Sequence, residues 1–196
     1  MAERAENGKS GAAGTAAGTY GHGQPCGPAA PSPFVAAHLG LMPEGGRVLD
    51  LAAGRGRHTA LARAAGHPVT AVDREVEGLK TLRPGPDLEI VEADLENGTW
   101  PLDARTFAGV IVTNYLWRPI LPEIVAAVAP GGVLIYETFA KGNERHGRPS
   151  NPDHLLNPGE LLEAVNGELT VIAYAHGPEG DPPRAVRQRI CAVRDV

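Results

Sequence analysis

Cysteine is scarce in this chain, since only Cys26 and Cys191 occur among 196 residues. They lie far apart and without CxxC or metal-ligand spacing, so we predict neither a disulfide framework nor a metal site. Long apolar runs are also missing, and none approaches the ~20 residues of a membrane span. The first residues, MAERAENGKS, carry charge with no apolar stretch behind it, so no secretory signal is predicted. We expect a protein of the reducing cytoplasm.

An excess of basic charge is absent as well. The formal net charge is −5 and the pI is about 5.8. A nucleic-acid backbone and a membrane surface are therefore not the expected partners, and a small molecule is the expected substrate. The oligomeric state does not follow from the sequence.

Large apolar side chains are almost absent from residues 1–31, which consist mostly of glycine, alanine and proline. Such a segment buries too little surface to offset the entropy lost on ordering, so we predict a disordered tail. The alternative is a segment that folds over a ligand, for which Tyr20 and His22 are the candidate contacts. Residues 32–196 are predicted to form one domain.

Apolar runs and helical patterns alternate along that domain. Five strands are predicted at RVLDLAA, PVTAVD, DLEIVEAD, FAGVIVTNYL and VLIYETF, followed by two more at ELTVIAYAHG and RAVRQRICAVR. Helices are predicted at SPFVAAHLG, HTALARAAG, EVEGLKTL, PILPEIVAAVAPGG and NPGELLEAV, the last capped by Asn157. This alternation predicts an α/β fold, a Rossmann-like doubly wound sheet of about seven strands. The sheet is mostly parallel, with the last two strands forming an antiparallel hairpin.

The stretch VLDLAAGRGRHTA at residues 48–60 is a strand, a small-residue loop and a helix start. Gly54 and Gly56 permit left-handed backbone and close approach of a ligand. A dinucleotide loop would carry a third glycine three residues later, where this chain has Thr59. The loop alone is a weak signal, so its neighbours decide the ligand.

Three carboxylates follow the first three strands, at Asp50, Asp73 and Asp94. Asp73 stands where a ribose acceptor belongs, and Asp94 can accept a hydrogen bond from an adenine amino group. Asp50 would repel a pyrophosphate but suits an ammonium group. The implied ligand has an adenine, a ribose and a positive end, which S-adenosylmethionine fits and NAD fits poorly. The alternative is that each aspartate is an ordinary loop or turn residue with no role in ligand binding.

The chain from about residue 34 to 194 resembles the class I, seven-strand S-adenosylmethionine-dependent methyltransferases. The segments that carry the resemblance are VLDLAAGRGRHT, AVDRE, VEADLEN, FAGVIVTNYL and VAPGGVLIYETF. The chain departs from the family at Ala52, where many members have the first glycine of the loop. The resemblance implies S-adenosylmethionine as cofactor, bound at Asp50, Ala52, Gly54, Gly56, Asp73 and Asp94. Within the class, NYLWRP and ETFAKGNERHGRP look most like small-molecule methyltransferases of the tellurite-resistance type.

Two segments are candidates for acceptor binding and catalysis. Asn114 and Tyr115 follow the fourth strand, where we expect the transferable methyl group; Asn114 is also a candidate donor contact. Methyl transfer from a sulfonium needs in-line positioning and exclusion of water more than a strong base. The alternative is that Tyr115 packs against the next helix.

The second segment, residues 140–157, has no periodic pattern and is predicted to be a mobile lid with few apolar anchors. Arg145, His146 and Arg148 could hold an anionic or soft acceptor, with His146 as a proton acceptor. The alternative is a solvated surface loop. Arg187 and Arg189 alternate on the last strand and are predicted to form structural ion pairs.

Two other functions remain open at this point. A nicotinamide-dependent oxidoreductase is one, although no tyrosine has the lysine four residues on that short-chain reductases use. The other is a methyltransferase-fold protein that binds ligands without catalysis.

Overall fold

The computed structural model describes residues 30–83 and 85–196, and its centre is one seven-stranded sheet in the order β3-β2-β1-β4-β5-β7-β6. The strands are β1 Val48–Leu51, β2 Val69–Asp73, β3 Leu88–Glu92, β4 Phe107–Thr113, β5 Val128–Phe139, β6 Thr170–Glu179 and β7 Ala185–Val193. The prediction of a Rossmann-like sheet of seven strands is confirmed.

Strand direction determines where the functional groups meet. The first five strands are parallel to one another, while β7 runs antiparallel to both β5 and β6. The predicted C-terminal hairpin is therefore present. The carboxyl ends of β1 to β5 and the start of β7 lie along one side of the sheet, which we call the carboxyl edge. Ligands of open α/β sheets bind at such an edge.

Helices cover both faces of the sheet. They are α1 Pro33–His38, α2 Arg57–Ala64, α3 Leu121–Ala126 and α4 Glu160–Val165. One apolar core includes Val35 of α1 and Ala62 of α2, and the other includes Ile124 of α3 and Leu161 of α4. Both cores exclude water from β1, β2, β4 and most of β5, which are apolar because each face is covered.

Helix α1 begins as the sequence predicts. Pro33 is its first residue, and the Ser32 hydroxyl accepts hydrogen bonds from the backbone N–H groups of Phe34 and Val35. This capping satisfies N–H groups that have no partner within the helix.

Two local predictions are wrong. The segment EVEGLKTL forms only a short 3₁₀ helix at Leu79–Thr81. A Cβ atom at Gly78 would lie 3.0 Å from the Arg55 Cα atom. This segment is therefore shaped by packing against residues 52–56, the loop after β1, which we call the glycine loop. Asn157 does not cap α4, because the residue before this helix is Gly159. The backbone and side-chain N–H groups of Asn157 instead donate to the Glu160 carboxylate.

The segment 140–157 is anchored more firmly than predicted. Leu155 and Leu156 are buried, and Lys141 N–H donates to the Leu156 carbonyl oxygen. Asn143 is buried too; its side chain donates to the Pro149 carbonyl and accepts from Val186 N–H. The expectation of few apolar anchors is wrong, because two leucines and a buried amide hold this segment to the sheet.

The predicted tail falls almost wholly on residues 1–29, outside the described residues, as do Tyr20 and His22. Over the described ranges, no helix is long and apolar enough to cross a membrane.

Candidate functional site

The loop after β1 has the backbone shape that its small residues permit. Ala52, Gly54 and Gly56 all have positive φ angles, of 53°, 58° and 78°. A Cβ atom at Gly56 would meet Leu82 at 2.6 Å, whereas one at Gly54 would meet nothing within 4 Å. Gly56 therefore packs against the protein, while Gly54 borders open space at the carboxyl edge.

Asp50 supports this loop from below. Its side chain is 1% exposed, and the Thr59 hydroxyl donates to its Oδ2 atom at 2.6 Å. Burial raises the pKa of Asp50 to about 6, although the hydrogen bonds from Thr59 oppose the shift. Thr59, which stands where a dinucleotide loop has its third glycine, thus binds Asp50.

Asp73 and Asp94 lie at the ends of β2 and β3. The Asp73 Oδ2 atom accepts from Gly54 N–H at 2.7 Å, which ties the second strand to the glycine loop. Its Oδ1 atom accepts from Glu75 N–H, and Asp94 Oδ1 accepts in the same way from Glu96 N–H. Both aspartates are therefore turn residues, and their carboxylates also stand at the carboxyl edge with lone pairs left for a ligand.

Tyr115 lies on the same side of the sheet as these aspartates. It packs against the apolar core, and its carbonyl oxygen accepts a hydrogen bond from the Tyr136 hydroxyl at 2.9 Å. The Tyr115 hydroxyl is buried and has no hydrogen-bond partner among the described residues. Burial raises the pKa of Tyr115 above its usual range, and the carboxylates of Glu96 and Asp94 raise it further. This hydroxyl therefore remains a neutral donor.

Asn114 directly follows β4 in left-handed conformation, with φ 55°, which asparagine tolerates better than most residues. Its backbone N–H donates to the Glu137 carbonyl oxygen of β5. Its side-chain Oδ1 accepts from Arg187 Nη1 at 2.6 Å. The two predicted catalytic residues thus lie in different environments. Asn114 is hydrogen-bonded to β5 and β7, whereas Tyr115 lies near the carboxylates of Asp94 and Glu96, which follow β3.

A buried polar network that the sequence did not predict lies beside Asn114. His58 Nε2 accepts from Ser32 N–H at 3.0 Å, so the His58 proton lies on Nδ1, which faces Thr113 Oγ1 at 3.2 Å. The Ser32 hydroxyl donates to Glu137 Oε2 at 2.8 Å. Burial lowers the pKa of His58 to about 4, with a smaller contribution from Arg57. These residues are far apart in sequence, so the network cannot be predicted without the chain topology.

Arg187 and Arg189 form the predicted ion pairs with two glutamates. Arg189 lies 2.9 Å from both Glu137 and Glu179. Arg187 Nε lies 2.7 Å from Glu179 Oε2 without a well-aligned hydrogen bond, and Arg187 Nη1 lies 3.7 Å from Glu137. The Arg187 guanidinium also stacks on the Phe139 ring, with 3.9 Å from Cζ to the ring centre.

The loop residues predicted for acceptor binding are solvent-exposed. Arg145, His146 and Arg148 are exposed, and their side chains form no hydrogen bond or ion pair within residues 30–83 and 85–196. The structure therefore neither brings them to Asn114 nor occupies them elsewhere. The same described ranges contain no cluster of residues able to hold a metal ion.

Part of this chain matches the model of a known protein family. Residues 48–132, from β1 into β5, match the family model described as methyltransferase domain. A search of proteins with curated functions found no significant match.

Many solved structures share the fold. One is the 1,6-didemethyltoxoflavin-N1-methyltransferase of Burkholderia thailandensis with bound 1,6-didemethyltoxoflavin and S-adenosylhomocysteine. It is 24% identical, with a TM-score of 0.62 over 83% of this chain and 75% of that chain. A TehB-like S-adenosylmethionine-dependent methyltransferase of Corynebacterium glutamicum is 17% identical, with a TM-score of 0.58 over 84% and 89%.

A third similar structure is a putative methyltransferase of Haloferax volcanii in complex with the Trm112 methyltransferase activator. It is 19% identical, with a TM-score of 0.62 over 83% of this chain and 89% of that chain. At these identities the likeness concerns the fold. The match of residues 48–132 to the methyltransferase-domain model, on a fold shared with S-adenosylmethionine-dependent methyltransferases, agrees with the predicted enzyme class and cofactor.

Proposed function

We propose that this protein methylates a small molecule, with the donor bound along the carboxyl edge from the glycine loop to Asp94. The observation that carries the donor position is the open space at Gly54, directly beside the Asp73 carboxylate that Gly54 N–H contacts at 2.7 Å. A side chain at residue 54 would fill that space, and glycine leaves it to a ligand.

The residues at this edge fit the parts of the donor. Asp73 has lone pairs for the ribose hydroxyls, and Asp94 has lone pairs for the adenine amino group. The buried Tyr115 hydroxyl, unpartnered among the described residues, supplies a neutral donor on the same side. Ala52, Gly54 and Gly56 bring backbone close to the methionine end, and Asp50 supports that loop and offers it negative charge.

When bound, S-adenosylmethionine supplies a methyl group already activated by the sulfonium. The protein residues need to orient the donor and exclude water from the transfer path. Asn114 stands between the glycine loop and β5, where an acceptor can approach. Arg145, His146 and Arg148 are proposed as acceptor contacts contributed by the exposed part of segment 140–157, with His146 as proton acceptor.

A small-molecule acceptor is favoured by two observations. The net charge of −5 does not favour a nucleic-acid backbone. The Burkholderia structure with the same fold holds a small acceptor. A tellurium oxyanion is a narrower proposal, which rests on the sequence resemblance to the tellurite-resistance type.

Transfer of labelled methyl groups tests the proposal. The protein is incubated with methyl-labelled S-adenosylmethionine and a panel comprising a phenol, a carboxylic acid, an amine, a thiol and tellurite, with RNA and a protein mixture as separate arms. We expect label in a small product, and loss of that product with Asp73→Ala. Label only in the RNA or protein arm would overturn the small-molecule assignment.

A further inference from the structure

The side-chain amide of Asn114 has a fixed orientation in this structure. Arg187 can only donate hydrogen bonds, so the atom that it contacts at 2.6 Å must be the amide oxygen. This removes the usual ambiguity between the oxygen and nitrogen of an asparagine amide. The two N–H groups of Nδ2 then point away from Arg187.

Strand order shows which way these N–H groups face. Arg187 belongs to β7 and reaches Asn114 across β5, where its guanidinium stacks on Phe139. Asn114 belongs to the end of β4, whose other neighbour is β1. Because Oδ1 is bound to Arg187 of β7, we take Nδ2, on the other side of the amide, to lie towards β1, which carries the glycine loop.

The guanidinium of Arg187 is itself held in place. Its side chain is 13% exposed and lies between the carboxylates of Glu179 and Glu137 and the Phe139 ring. Such contacts restrict the rotamers of a long side chain, so the hydrogen bond to Asn114 has a defined direction.

We propose that Arg187 is a positioning residue, which holds Asn114 so that its N–H groups donate to an oxygen of the ligand bound beside the glycine loop. The inference rests on the proposed donor site. It adds Arg187, which lies outside the methyltransferase-domain match, to the residues that shape the ligand site. It also requires the ligand atom next to Asn114 to be a hydrogen-bond acceptor. That oxygen belongs to the amino-acid end of the donor, which the proposed site places at the glycine loop.

Arg189 provides a matched control. It forms ion pairs with the same two glutamates, Glu137 and Glu179, but has no hydrogen bond to Asn114. Arg187→Met and Arg189→Met each remove an ion-pair partner of both glutamates, and only the first also removes the contact with Asn114 and the stack on Phe139. Arg187→Lys keeps a donor on a shorter side chain.

The test is the NMR signal of the Asn114 side-chain amide in full-length protein labelled with ¹⁵N-asparagine, assigned by its absence in Asn114→Asp. Without ligand, we expect Arg187→Met to move this signal towards the position of free asparagine. Arg187→Lys should restore part of the shift, and Arg189→Met should leave the signal in place. An unchanged signal in Arg187→Met, or an equal change in Arg189→Met, would overturn the positioning role.

Ligand arms then separate this inference from the proposed function. Saturating S-adenosylhomocysteine should shift the Asn114 signal in the native protein and not in Arg187→Met. 5′-Methylthioadenosine lacks the amino-acid end, so we expect a shift with S-adenosylhomocysteine and none with 5′-methylthioadenosine; an equal shift with both would overturn the assignment of the oxygen to that end. Calorimetric binding of S-adenosylhomocysteine without any shift would overturn the inference and leave the donor site standing. Absence of binding would overturn the donor site, while the ligand-free comparison still decides the role of Arg187.

Discussion

Asp73 combines a structural and a proposed binding role at one carboxylate. Replacement by alanine would leave ribose hydroxyls without an acceptor and release Gly54 N–H. We expect the affinity for S-adenosylhomocysteine to fall about tenfold to a hundredfold, or roughly 1–3 kcal/mol.

Calorimetry on folded variants measures this loss. Asp87→Ala is the control, because Asp87 precedes β3 at the opposite edge and pairs with Arg63 there. Affinity that is the same in the native protein and in Asp73→Ala would remove Asp73 from the proposed site.

His58 and Asp50 make the stability of the fold respond to pH in opposite directions. The folded pKa of His58 is about 4, below the ordinary value of 6.5, so its neutral form is favoured and stability falls as pH drops from about 6.5 to 4. The folded pKa of Asp50 is about 6, above the ordinary 3.8, so stability falls as pH rises from about 3.8 to 6. The two effects partly cancel in the shared window.

Urea unfolding between pH 4.5 and 7.5 separates them. Relative to the native protein, His58→Asn should lose less stability towards low pH, by at most about 3 kcal/mol. Asp50→Asn should show the opposite change in slope. Identical slopes in all three proteins would show that neither group titrates differently on folding.

At the scale of elements, two residues of the glycine loop have different expected roles, Gly56 in stability and Gly54 in ligand binding. Gly56→Ala would place Cβ against Leu79 and Leu82 at positive φ, so we expect a stability loss of about 2–4 kcal/mol. Gly54→Ala adds only backbone strain of about 1 kcal/mol, since its Cβ meets nothing, but it enters the proposed donor space.

Unfolding midpoints and S-adenosylhomocysteine affinities of both variants check this split. Gly54→Ala should retain most stability and bind the ligand more weakly than the native protein does. If Gly54→Ala binds as tightly as the native protein, the space above residue 54 is not where the donor lies.

Segment 140–157 is a second element in which anchoring and function are separate. Asn143→Ala removes two buried hydrogen bonds, so we expect a stability loss of about 1–3 kcal/mol. Arg145→Ala and Arg148→Ala should each change stability by less than about 0.5 kcal/mol, because exposed charges contribute little. Their effect should appear in methyl transfer. A destabilised Arg145→Ala protein with normal transfer would contradict the proposed acceptor role of Arg145.

At the scale of the whole molecule, the sequence predicts the sheet well because its signals are local. β1, β2 and β4 are largely apolar runs bounded by turn residues, and the missing helix between the last two strands predicts their hairpin. The glycine loop and the three aspartates are also sequence signals, because parallel strands bring their carboxyl ends to one edge. No local sequence signal indicates that Ser32, His58, Glu137 and Arg187 belong to one network, because they come from four separate parts of the chain.

The direct test of the account is the choice of ligand by the intact protein. Calorimetry with S-adenosylmethionine, S-adenosylhomocysteine and NAD should give micromolar dissociation constants for the first two and much weaker binding of NAD. Asp73→Ala should weaken binding of the first two under conditions in which the variant remains folded. Tighter binding of NAD than of S-adenosylhomocysteine, or no binding of either adenosyl compound, would contradict the account.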